Sequence, residues 1–191
     1  MDRELIKEIN QKEKTALIIW DVQKALVEGI FNKEEFLENT KKLIEAAHKN
    51  NIPVIFTAIT PLLERFESAP RKMMMKIRKM KINWTPEGMQ QAITPGKEDI
   101  ILPKNTASIF IGTNFESMMR NAGITTFVFA GIATEYGVES SARDASNRGF
   151  FSVIAKDAVS SFNKESHERS LKNMESMFAL MTADEIFQMW G

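Results

Sequence analysis

Short runs of β-branched and other apolar residues, separated by stretches of helical period, restrict this chain to few architectures. The runs cover residues 16–21 (ALIIWD), 52–58 (IPVIFTA), 99–102 (DIIL), 125–130 (TTFVFA) and 151–155 (FSVIA), with a further short one at 177–181 (MFALM). Residues 33–50 place Phe36, Leu37, Leu43, Ile44 and Ala47 at the spacing of a sheet-facing helix, and residues 112–121, 134–147 and 164–174 also read as helices. Thr182 and Glu185 stand at capping-box spacing and predict a short helix after them. Strands that are apolar almost throughout are buried on both faces. The expected fold is therefore α/β, a doubly wound, mostly parallel sheet of about six strands with helices on both faces. A length of 191 residues, with 43% apolar content, suits a single domain over residues 1–191.

In such sheets ligands bind beyond the carboxyl ends of the strands. That rule selects Asp21, Lys104 and residues 131–137. Asp21 ends a strand reading Leu17-Ile18-Ile19-Trp20, where an ionised carboxylate is costly unless paired or solvated. It fits either a proton-transferring group or a cap of the next turn. Gln23 fits either a ligand-orienting residue or a turn residue. A lone lysine such as Lys104 is usually solvated, and only its place at a strand end beside a carboxylate makes it a candidate. Residues 130–145 turn from a strand directly into a helix whose first amides are free to meet an oxyanion. Gly137 near that helix start costs roughly 1 kcal/mol against alanine. Close approach of a ligand or of neighbouring chain would account for it, as would simple packing.

Composition removes several function classes. Zero cysteines exclude disulfides, thiolate zinc sites and thiol catalysis. The two histidines, His48 and His167, lie far apart within predicted helices and read as surface residues, so no metal and no other cofactor is expected. Basic and acidic residues balance at 25 each, which gives no overall field toward nucleic acid or a membrane and leaves a small molecule as the expected partner. Residues 1–14 are charged and lack the apolar core of a signal peptide, and no run approaches ~20 apolar residues, so a cytoplasmic location is expected. Residues 71–81 carry six basic side chains interleaved with Met and Ile. They read as a lid or subunit contact with a solvated basic face, or else as a patch for an anionic partner.

Asp21-Val22-Gln23, residues 104–113 and residues 131–145, in that order, resemble the isochorismatase-like hydrolase superfamily, also called the cysteine hydrolases, over about residues 15–182. The resemblance implies a catalytic Asp21 and Lys104, a cis peptide just before Ala133, and an oxyanion hole from the Ala133 and Gly137 amides. Gln23, Thr134, Ser108 and Phe110 are the candidate substrate contacts, and a homo-oligomer is implied. The family's cysteine nucleophile would stand where this chain has Gly137, which places it in a branch without thiol catalysis and suggests a hole where sulfur would sit. The metal motif of nicotinamidases is also missing, because residues 57–61 read TAITP. The expected reaction is then non-covalent hydrolysis of a vinyl ether or a related C–O or C–N bond, with Asp21 as the acid. The alternative is a small-molecule-binding homologue without activity.

Overall fold

A computed structural model of the chain describes residues 8–9, 11–78, 82 and 84–191. Six strands, β1 (Thr15–Trp20), β2 (Val54–Ile59), β3 (Ile100–Lys104), β4 (Thr126–Ile132), β5 (Phe151–Ser160) and β6 (Ala179–Met181), form one sheet in the order β3-β2-β1-β4-β5-β6. Every neighbouring pair is parallel. The helices among the described residues are α1 (Lys24–Val27), α2 (Lys33–Lys49), α3 (Ala69–Arg78), α4 (Phe115–Asn121), α5 (Glu139–Asn147), α6 (Lys164–Glu175) and α7 (Ala183–Trp190). None of them is long and apolar enough to cross a membrane.

Successive side chains of a strand point to opposite faces, and β1 shows what this does to the core. Leu17 and Ile19 pack with Phe36 and Leu43 of α2 and Ile186 and Trp190 of α7, whereas Ile18 and Trp20 pack with Phe115 of α4, Ala142 of α5 and Met174 of α6. Two helical layers thus cover one sheet, as the continuous apolar runs require. The strand order reverses between β1 and β4, and the crevice at their carboxyl ends is where a doubly wound sheet offers a ligand site.

The elements depart from the sequence expectation in three places. The helix expected from residue 134 opens with a π turn, Thr134–Val138, and α5 begins only at Glu139. Strand β5 continues to Ser160, because a register shift opposite Phe129 and Gly131 accommodates Lys156 and Asp157, the polar pair that interrupts its apolar pattern. The helix expected from residue 112 starts at Phe115, after Gly112 at φ 74°. The capping box forms as expected, with Thr182 Oγ1 accepting from Glu185 N and Glu185 Oε2 accepting from Thr182 N.

Candidate active site

Asp21 follows β1 directly and is buried, at 3% exposure, with φ 49° in the left-handed region that few non-glycine residues adopt. Its backbone N–H donates to Thr57 Oγ1 at 2.9 Å, and the Thr57 hydroxyl donates back to Asp21 Oδ1 at 2.5 Å. Lys104 Nζ donates to Asp21 Oδ2 at 2.7 Å. Lys104 ends β3, two strands away from β1, so at ~4.8 Å per strand its long stem must cross the end of β2 to make this bond. Thr57, on the intervening β2, holds the other carboxylate oxygen. The Lys104 ammonium also lies 4.1 Å from the centroid of the Trp20 ring.

Removing two charges from water costs several kcal/mol per ion, and only close pairing with further hydrogen bonds offsets it. Both conditions are met here. Burial nevertheless pushes the Lys104 ammonium below its ordinary 10.5; Asp21 opposes the shift, and Arg71 adds to it.

The opposite wall is the end of β4. Gly131, at φ 124°, lies so close to Trp20 that a Cβ there would stand 2.1 Å from the Trp20 carbonyl oxygen. The Ile132–Ala133 peptide is cis. Ala133 O accepts from Tyr136 N at 3.0 Å and Val138 N at 3.4 Å. Gly137 needs its missing side chain for space. A Cβ there would stand 1.8 Å from Trp20 Nε1, 2.1 Å from Cε2 and 2.5 Å from Cζ2. The expected hole is therefore filled, because the indole of Trp20 occupies it.

These groups line a cavity of about 550 Å³ whose other walls include Leu26, Ile59, Met74, Met75 and Phe162. Helix α3 brings Met74, Met75 and Arg71 over it, so the described part of the basic segment 71–81 serves as one wall; residues 79–81 lie outside the described residues. A second cavity, of about 470 Å³ beside Phe151 and Met177, contains none of the candidate residues.

Asp21, Lys104, Ala133 and Gly137 meet at the first cavity, whereas Gln23, Thr134, Ser108 and Phe110 do not line it. The Gln23 amide accepts from Ile59 N at 2.8 Å and donates to Met89 O at 2.9 Å, bracing the end of β2 against the following segment. Thr134 Oγ1 turns inward to Ser160 O at 3.1 Å and His167 Nδ1 at 2.8 Å. The Ser108 hydroxyl is bonded to Asp144 and accepts from Phe110 N at 3.3 Å. Phe110 stacks edge-on with Phe115 at 5.2 Å and lies under the Arg148 guanidinium. All four make these contacts within the fold. His167, expected at the surface, is only 7% exposed, and burial holds its imidazole below the ordinary 6.5. Among the described residues no group of three or more His, Asp or Glu could hold a metal ion.

Thr57 and Trp20 are the site residues that sequence reasoning missed. Their signals were present but weak. Thr57 is the polar residue inside the apolar run of β2, and Trp20 is the large ring one residue before the strand-end carboxylate.

The Isochorismatase domain family matches residues 15–185. An uncharacterised isochorismatase family protein of Bacillus subtilis (strain 168), YwoC, is 32% identical over 165 residues, covering 84% of this chain and 85% of that protein. A cysteine hydrolase from Pseudomonas syringae pv. phaseolicola 1448A superposes with a TM-score of 0.82 at 20% identity, over 94% of this chain and 93% of that one, a likeness of fold. A nicotinamidase from Bacillus subtilis superposes with a TM-score of 0.74 at 26% identity, over 87% of this chain and 98% of that one.

Proposed function

The chain belongs to the isochorismatase family, and we propose that it is a hydrolase that acts on a small molecule without a covalent intermediate, with water as the nucleophile. The observation that carries this reading is the buried Asp21–Lys104 pair at the floor of a largely apolar cavity, in a chain with no cysteine. The likeness to a nicotinamidase supports hydrolysis as the class of reaction. Gly137 stands at the place of the family's nucleophile, and the missing thiol separates this chain from covalent chemistry.

The bond we favour is a vinyl ether or a related C–O or C–N bond. Asp21, as the acid, delivers a proton to the enol carbon, which leaves a cationic, oxocarbenium-like centre. Water adds to that centre and loses a proton to the Asp21 carboxylate, and the C–O bond then breaks to release an alcohol and a carbonyl compound. The Ala133 and Gly137 amides are the donors for the leaving oxygen, which gains negative charge as the C–O bond breaks and takes up the proton that the new hydroxyl loses. A panel of vinyl ethers, amides and ureides tests the reading: one member is turned over, and Asp21→Asn abolishes that turnover. Undiminished activity in Asp21→Asn would refute it.

A second reading, a member that binds its ligand without turnover, is favoured by Trp20 occupying the place of the nucleophile. Retention of a ligand with no product from any panel member would select it.

A further inference from the structure

We propose that Trp20 is a specificity-determining residue of this pocket, its indole N–H standing where a side chain at position 137 would face the ligand and donating a hydrogen bond to an acceptor oxygen on a small, largely apolar molecule. The inference rests on the cavity being the substrate site, as proposed above. It does not require that the substrate be hydrolysed.

Three observations carry it. Trp20 Nε1 stands 1.8 Å from where a Cβ of residue 137 would be, so the indole takes the space that a side chain at that position would need. Trp20, Lys104, Ala133 and Gly137 line the same cavity. Trp20 is also only 1% exposed yet borders the cavity, and its N–H is in none of the side-chain hydrogen bonds described above. Indole N–H groups in protein interiors usually find a partner, and a ligand in the cavity that Trp20 borders could supply one. Finally, the ring is held in place, with the Lys104 ammonium 4.1 Å from its centroid and the Gly137 backbone against its Nε1 edge. A donor fixed in this way needs no reorganisation when a ligand arrives.

The ligand class follows from the remaining walls. Leu26, Met74, Met75 and Phe162 suit an apolar body, and the polar groups are clustered at one end. The matching molecule carries a carboxylate or an amide carbonyl at one end of an aromatic or aliphatic body.

Isothermal titration with benzoate and with benzamide distinguishes these two oxygens. Three proteins are compared: the wild type, Trp20→Phe, and a protein with 3-benzothienylalanine at position 20, which keeps the fused-ring shape but has sulfur in place of N–H. The wild type binds at least one probe, and that probe weakens by about tenfold or more in both variants, the loss of one ligand hydrogen bond. Unchanged affinity in the benzothienyl protein overturns the proposal, even where Trp20→Phe fails to fold or binds weakly, since shape alone would then explain the effect. Failure of the wild type to bind either probe at millimolar concentration overturns it as well. The Asp21→Asn turnover assay reports on hydrolysis separately, so the two readings can fail independently.

Discussion

Adding a single methyl group at position 137 should destabilise the protein through Trp20. Gly→Ala in a helical turn with ordinary dihedrals normally stabilises by about 0.4–1 kcal/mol. Here the new Cβ would stand 1.8 Å from Nε1, roughly half the 3.4 Å at which ordinary contact begins. The atom in the way belongs to a ring at 1% exposure, held between the sheet and Lys104, and not to the free end of a flexible chain. Overpacking a well-filled core costs about 1–3 kcal/mol, and the rigidity of this ring places Gly137→Ala near the upper end. Trp20→Val alone should cost about 3–5 kcal/mol for the lost ring. In the double variant the clash is gone, so the two costs should fall short of additivity by about 2–3 kcal/mol, well above the ~0.5 kcal/mol expected for independent sites. Equilibrium urea unfolding of the wild type, both single variants and the double variant measures this directly. A Gly137→Ala cost below about 0.5 kcal/mol, or additive costs, would show that the indole does not occupy the space at 137. The same geometry predicts that Gly137→Cys confers no amidase activity, because its first added atom meets the ring.

Two further predictions concern buried charge. Lys104→Met leaves the Asp21 carboxylate buried without its cation and should lower stability by about 3–5 kcal/mol, most of it recovered when Asp21→Asn is added; thermal unfolding in which the two changes simply add would contradict a coupled pair. Burial holds His167 below its ordinary 6.5, with Glu168 opposing the shift and Lys164 reinforcing it. The unfolded chain therefore takes up the proton first, so stability should fall as pH drops from 6.5 toward the lower value of the folded state. His167→Gln should flatten the stability profile in that window, and an unaltered slope would remove His167 as its source.

The parts of this protein that depend on neighbours in sequence were legible from the chain alone. Alternating apolar runs and helical spacings gave the six strands and their order of appearance, the strand-end rule singled out Asp21 and Lys104, and Thr182 with Glu185 formed the expected cap. Gln23, Thr134, Ser108 and Phe110 show where that reasoning stops. Each lies in a segment that borders the site, but a side chain at a strand end can turn toward the cavity or back into the fold, and partners distant in sequence decide which. Ser160 and His167 draw Thr134 inward, and Ile59 and Met89 hold Gln23. The encounter of Lys104 with Asp21 across the end of β2 required the strand order β3-β2-β1, and the place of Trp20 required the close register of β1 against β4, where Gly131 faces it. Sequence periodicity encodes which face of an element is apolar. Only the packed sheet determines which atoms from separate strands share a volume, and here that decided whether position 137 opened onto a hole or onto an indole ring.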